Sequence, residues 1–449
     1  MDKKLSRLTK IIYGSGDLGF SLTGTIIGAY FLFFLIDVVG IQPAVAGIAI
    51  LIGKTWDYIN DPLIGHLSDR TRTRWGRRRP FLLFGALPFG LAFMLMWYRP
   101  PFESQLALAA YYAFAYMLYD AAATFVYMPY FSLTPELTDD YDERTSLTSY
   151  RMFYSILGGL LAFTVPLMIV GTFNPENTSR VFLMGTIFGL GSAMPLFLVF
   201  FFTRERKDFT VLEKPKLFES LKAAFKNRPF VFGAVIYLLT WICMDILQTV
   251  LLFFVKHVLR LESMSDLIMA LIFVTAMFAL PLWEYISRRY NKRLAYAFGI
   301  AFWAVVQILL ITVSPSVPVA VIYFLCTMAG IGISAAHVLP WAILPDAVEW
   351  DEYQTGERHE GMFYSLVTLM GKVASSVAIP LTALMLDLTN YVPNAAQQPA
   401  SAILGIRLLV GPVPAVFLTI GIIFALKYPL DRVQFTNVVK ELQDRRGKV

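Results

Sequence analysis

Apolar residues run along this chain in long blocks, and polar residues gather in the gaps. Twelve blocks, roughly 11–36, 45–67, 80–97, 106–133, 145–170, 181–202, 229–255, 267–286, 293–313, 317–344, 362–388 and 401–426, can be read from the sequence. Each approaches or exceeds the ~20 residues that a helix needs to cross a bilayer. The pattern therefore predicts an all-α integral membrane protein with twelve transmembrane helices. The longest polar gap carries Arg204, Arg206, Lys207, Lys214, Lys216, Lys222, Lys226 and Arg228 and reads as a solvated basic linker. It divides the chain into a six-helix half over 1–202, a linker over 203–228, a second half over 229–427 and a tail over 428–449. The segment "DPLIGHLSDRTRTRWGRRRP" after the second block has a counterpart in "LPLWEYISRRYNKRLAY" after the eighth. Two pseudo-symmetric halves with a site between them near mid-membrane are a transporter plan.

Charge adds orientation. Basic residues crowd alternate gaps: Lys3, Lys4, Arg7 and Lys10, then Arg70 through Arg79, the linker, Arg288 through Arg293, and the tail. By the positive-inside rule both termini are expected in the cytosol of a multi-pass protein of the cell (inner) membrane. The formal net charge of +6 thus reads as topology, and no nucleic-acid partner is expected. Composition agrees, since charged residues are 16% and hydrophobic ones 57%, against roughly 25% charged in soluble domains. No removable signal peptide is evident at the N-terminus. Cys243 and Cys326 fall in separate blocks and make no disulfide framework. Nothing points to a partner chain, and a monomer is expected.

The chemistry lies where polar groups interrupt the blocks. "KTWDYINDP", Lys54 to Pro62, places two carboxylates inside the second block. Ionisable groups at such depth cost about 2.5–3.5 kcal/mol each on insertion scales and default to function. Asp57 and Asp61, four residues apart, share one helix face. Adjacent carboxylates need a compensating cation, and hard cations prefer oxygen donors. With Asn60 on nearly the same side, the pair reads as a Na⁺ or H⁺ site. Counted from the expected cytosolic helix ends, Asp57, Ser21 and Lys372 lie about 15 Å deep, Thr124 about 14 Å and Arg151 about 9 Å. Lys54 sits near one turn from Asp57 and can neutralise it. A plain buried ion pair between Lys372 and either aspartate is the competing structural account. Asp120, Asp245 and His337 are further cavity candidates, and Pro340 and Pro345 beside His337 predict a kinked helix. "PDAVEWDEYQTGERHEG", which begins with Pro345 and Asp346, reads as an acidic gate facing the basic gaps.

Enzyme signatures fail on context. Gly14, Gly16 and Gly19 in "YGSGDLG" have dinucleotide spacing, but they open a membrane helix where the fingerprint needs a strand. Close helix packing through small residues explains them better. The four histidines have no metal-ligand spacing, and neither an enzyme nor a cofactor is expected.

"YGSGDLG", "DVVG", "WDYINDP", "DRTRTRWGRRRP", "YFSLTPEL", "YR" at Tyr150-Arg151, "GMFYSLVTLMGK" and "NYVPN" together resemble the glycoside–pentoside–hexuronide:cation symporters, the sodium:galactoside group of the major facilitator superfamily. The resemblance implies the major facilitator fold and cation-coupled solute uptake. It implies Na⁺ at Asp57, Asp61 and Thr124, Lys372 as the coupling residue beside them, and Arg151 at the sugar. Ser21, Tyr127, Asp120, His337 and Trp341 would complete the substrate cavity. Asp69, Arg70, Arg77 and Asp346 would latch the helix ends. Two departures matter: the acidic sugar-holding positions of the first and fourth spans are Ser21 and Tyr127 here. "LPWAILPD", "LDLTNY", "KYPLDR" and Asp120 resemble the vertebrate sodium-dependent lysophosphatidylcholine transporters, a branch of the same group. The expectation is a symporter coupling Na⁺ or H⁺ entry to uptake of a sugar or glycoside by alternating access. A Na⁺-coupled lysophospholipid transporter is the alternative, and a non-coupled scramblase or sensor the remote one.

Overall fold

The computed structural model describes residues 5–138, 140–205, 224–356, 360–395, 397–430 and 432–446. Within these, the side chains of 66, 69, 135, 141, 142, 145, 288, 360, 361, 364, 432, 433, 439, 443, 445 and 446 fall outside the described set, so the expected latch residue Asp69 does too. Helix dominates, and among the described residues the β contact is an isolated bridge between Thr73 and Gly76. In chain order the helices are α1 Arg7–Ile26, α2 Pro43–Thr55, α3 Asp57–Arg70, α4 Arg79–Met96, α5 Gln105–Leu137, α6 Tyr141–Val170 and α7 Thr178–Phe202. There follow α8 Arg228–Phe253, α9 Ser265–Arg289, α10 Lys292–Thr312, α11 Val319–Thr355, α12 Glu360–Leu388, α13 Ala400–Val410, α14 Pro412–Leu426 and α15 Arg432–Arg446. Among the described residues, ten helical stretches are long and apolar enough to cross a membrane, and they cover the third to twelfth predicted spans.

The first two predicted spans are helical as well, but interrupted. After α1 the chain widens into π turns at Ile27–Phe31 and Phe34–Val39, then stops at Gly40 in the left-handed region, φ 89°. The seventh span ends alike: α8 passes into a π turn at Phe254–Leu259 and stops at left-handed Arg260, φ 56°. A non-glycine residue there costs roughly 1–2 kcal/mol, so the shared ending is imposed by the fold. The second span breaks at Trp56, whose carbonyl accepts from both Ile59 N–H and Asn60 N–H at 3.0 and 2.9 Å. The acidic motif therefore starts a helix instead of sitting mid-helix.

The chain forms two compact units. The first comprises Met1–Leu212 with Leu261–Ala270 and Ala383–Ala402. In it α1 packs on α6 and α7, α4 on α5 and α7, and α5 on α2 and α3. The three glycines of "YGSGDLG" are contact points, as packing required: a Cβ on Gly14 would fall 2.8 Å from Tyr150, on Gly16 2.5 Å from the Tyr130 ring, and on Gly19 2.6 Å from the Ser192 carbonyl. The segment 383–402 is fastened by Tyr391, whose hydroxyl donates to Asp37 Oδ1 at 2.9 Å. Burial, and then the Asp37 charge, raise that hydroxyl well above the ordinary phenol range, so it stays a donor.

The second unit comprises Glu213–Arg260, Leu271–Thr382 and Ile403–Val449. Here α10 packs on α11 and α14, while α8 packs on α11 and α14. Buried Trp283, Tyr296 and Trp303 fill its core, and Tyr296 Oη shares a 2.7 Å hydrogen bond with Thr240 Oγ1. The third span packs on the fourth and sixth in one unit, and the ninth on the tenth and twelfth in the other.

Candidate functional site

The acidic motif occupies the first turns of α3, and α3 lies along α5. Its lipid-type face is apolar and open: Ile59 is 56% exposed, Leu63 59% and Leu67 49%. The opposite face carries buried Asn60 and Ser68. Asp61 belongs to that inner side, since Thr124 Oγ1 on α5 donates to Asp61 Oδ1 at 3.1 Å. Asn60 Nδ2 reaches the Asp120 carbonyl on the same helix at 3.5 Å. Pro62 has no N–H, so Tyr58 loses its usual helical donor one turn on. The Asp61 carboxylate and the Thr124 hydroxyl thus meet beside buried Asn60, with Asp57 one turn back on the same helix where α3 begins. Such an oxygen-rich donor set suits a hard monovalent or divalent cation.

A second polar centre joins α1, α5 and α6. Arg151 Nε pairs with Asp17 Oδ2 at 3.1 Å, with side-chain exposures of only 12% and 9%. The guanidinium lies 4.2 Å from the Phe131 ring centre and 5.4 Å from that of Tyr130. Tyr127 stacks on Phe131 at 5.1 Å, and Tyr130 donates from Oη to the Tyr13 carbonyl at 2.5 Å. Ser21, one turn beyond Asp17, spends its proton on the Ser155 carbonyl at 2.6 Å. Sequence reasoning missed Asp17. The signal was present, because a carboxylate inside a predicted span is itself the flag, but the surrounding glycines drew the reading.

In the second unit, His337 and Trp341 lie one turn apart on α11 and are both exposed. His337 faces Trp241 with ring centres 5.4 Å apart, and Trp341 meets Tyr237 edge-on at 5.3 Å. Tyr237 and Trp241 are themselves 5.5 Å apart on α8, so four rings from two helices form one aromatic wall. Lys372 sits on α12 beside Gly371, where a Cβ would stand 3.2 Å from Tyr237 Oη.

Two of the expected latch residues, Arg77 and Asp346, find partners inside their own units. Arg77 Nη2 and Arg78 Nε both donate to Glu136 Oε1, at 2.5 and 3.1 Å. The main-chain N–H groups of Arg77, Arg78 and Arg79 converge on the Glu205 carboxylate at 2.5, 2.7 and 2.8 Å, capping the start of α4. Asp346 pairs with Lys292 in the second unit. Arg70 is exposed and makes no ion pair among the described residues. Glu136, Glu205 and Lys292 were not singled out from sequence.

Many apolar spans with polar clusters buried among them define a multi-pass membrane protein. The chain belongs to the major facilitator family described as MFS/sugar transport protein, whose profile matches residues 12–432. An uncharacterised symporter of Synechocystis is 32% identical, with 99% of this chain and 98% of that protein covered. The sodium-dependent lysophosphatidylcholine symporter 1-A of Danio rerio is 28% identical over 98% of this chain and 89% of its own length. In fold, a bacterial homologue of the human lysosomal transporter Spinster superposes with a TM-score of 0.70 at 13% identity, covering 96% of this chain and 97% of the other. The fold is therefore all-helical and of the major facilitator type, and the protein is a symporter-type carrier.

Proposed function

We propose that the protein is a cation-coupled symporter for a sugar or glycoside, with Na⁺ or H⁺ taken at Asp57, Asp61 and Thr124 and the solute held at Asp17 and Arg151. The observation that carries the solute assignment is the Arg151–Asp17 pair set on aromatic rings. A polyol needs acceptors and donors for its hydroxyls and a flat apolar face for its C–H groups. Asp17 accepts, Arg151 donates, and Phe131, Tyr127 and Tyr130 supply the platform. This reading also answers the departure at Ser21: the carboxylate has moved one turn along the same helix, from 21 to 17, where it shares a face with Ser21.

Coupling follows from charge. Two carboxylates one turn apart repel until a cation or proton reduces their charge. A filled cation site then favours solute binding, and linkage makes the reverse effect equal. The loaded carrier exposes both ligands alternately to the two sides of the membrane, with its termini in the cytosol. The aromatic group of Tyr237, Trp241, His337 and Trp341 in the second unit suits the same solute class.

A second reading, transport of a lysophospholipid, is favoured by the Danio rerio relative and by Arg151, which also suits a phosphate. Purified protein in liposomes with an imposed Na⁺ or proton gradient separates the two. Gradient-driven accumulation of labelled glycosides, lost in Asp17→Asn, is the expected result. Accumulation of lysophosphatidylcholine with indifference to every sugar would transfer the assignment to the lipid, and ungated lipid flipping would remove coupling altogether.

A further inference from the structure

At one end of the second unit an open cavity of about 500 Å³ lies away from the residues discussed so far. Three candidate spans reach their ends there: Arg228–Leu259 begins at Arg228, Val319–Thr355 ends just past Tyr353, and Ala400–Leu426 stops shortly before Pro429. The cavity is thus at the depth where hydrocarbon gives way to headgroups. The C-terminal helix α15 closes one side with Gln434 and Asn437.

Among the described residues, the charged side chains of the lining are Lys226 and Arg228, and none is a carboxylate. Both cations are exposed, and neither makes a hydrogen bond or ion pair among the described residues. Other basic groups at helix ends are engaged instead, as Arg77 and Arg78 are with Glu136 and Lys292 with Asp346. Trp350 and Tyr353, with ring centres 5.7 Å apart, make the wall opposite. Beside Lys226, Phe225 is 66% exposed, an apolar side chain turned outward next to a cation. Beside the lining residue Pro429, the Tyr428 hydroxyl is buried with no partner among the described residues.

Two free cations, amide donors and interfacial aromatics at headgroup depth select a phosphate ester. Interfacial aromatics are expected at this level, and basic side chains near an anionic leaflet each add attraction. The volume falls within the range of small-ligand sites and accommodates a phosphoglycerol group. We propose that this cavity binds the phosphate headgroup of an anionic phospholipid, with Lys226 and Arg228 on the phosphate, Gln434 and Asn437 on its polar substituent, and Phe225 against the acyl chain. The lipid would bridge the start of α8, the end of α11 and α15. The site is separate from the transport reading and stands or falls without it.

The test uses the full chain in mild detergent, titrated with short-chain phosphatidylglycerol, short-chain phosphatidylcholine or inorganic phosphate, and read by thermal stabilisation. Saturable stabilisation by phosphatidylglycerol is expected, with weak response to the other two. Lys226→Gln with Arg228→Gln should weaken it about thirtyfold while leaving the lipid-free melting temperature unchanged, since both side chains are exposed. Arg72→Gln with Arg74→Gln, the same charge change in the first unit's basic turn, should leave the titration intact. Equal response to phosphatidylcholine, or equal loss in the two double variants, overturns the site. Inorganic phosphate matching phosphatidylglycerol overturns the lipid as its occupant.

Discussion

Two polar centres share the first unit, and they are built from opposite materials. Asp61 is met by a hydroxyl from Thr124, with Asp57 one turn back and Asn60 buried alongside. Arg151 is met by a carboxylate and sits on aromatic rings. The first is a small nest of oxygens on a helix that starts at the site. The second is a donor–acceptor pair on a flat apolar floor. On the proposed function the difference suits them to different ligands: a bare cation wants oxygen and no apolar surface, whereas a solute with both hydroxyl and C–H faces wants the pair and the rings.

Breaking the first centre should have the largest effect. Asp57→Cys or Asp61→Cys is expected to reduce gradient-driven accumulation in liposomes to background, while counterflow persists only at solute concentrations high enough to fill the weakened site. Loss of counterflow with retained accumulation would exchange the roles of the two centres. Next in size, Arg151→Gln leaves Asp17 buried and unmatched, which costs about 3 kcal/mol or more of stability. The double variant with Asp17→Asn should recover most of that in a melting experiment, although neither variant binds solute. A smaller loss is expected for Gly16→Ala, whose added methyl meets the Tyr130 ring and should cost about 1–3 kcal/mol, lowering melting temperature with or without ligand. Thr124→Ala, which removes one of the proposed ligand oxygens, should weaken apparent cation affinity about tenfold and leave solute affinity at saturating cation unchanged. Smallest of all, Tyr391→Phe removes the bond to Asp37, worth about 1 kcal/mol, and should show only as faster amide exchange near Asp37.

The same contrast explains what was legible beforehand. Asp57 and Asp61 stand out because two charges in an apolar run have no bland explanation, and their four-residue spacing already gives a shared face. Asp17 is no less out of place, yet it lies among glycines that carry their own packing reason, and its partner Arg151 is 134 residues away. Pairings of that range leave no periodic trace. For the same reason Lys292 and Asp346 could not be joined by inspection, and Tyr237 and Trp241 looked like ordinary apolar positions on α8. The helical spans were readable because bilayer thickness dictates their length. The π turns before Gly40 and Arg260 were not, because one extra residue per turn leaves an apolar block looking the same. The break at Trp56 was hidden likewise, since its backbone remains in the helical region, φ −61° and ψ −32°.

The claim at the centre is that the oxygen nest controls the aromatic-floored pair. Solute binding to purified protein, titrated with and without Na⁺ at fixed pH and again across pH, measures that control directly in the wild type and in Asp57→Cys. The account predicts that Na⁺ or protonation tightens wild-type solute binding by roughly 5- to 150-fold, and that Asp57→Cys binds solute weakly whatever the cation. Tightening that survives in Asp57→Cys, or wild-type binding indifferent to both Na⁺ and pH, would contradict it.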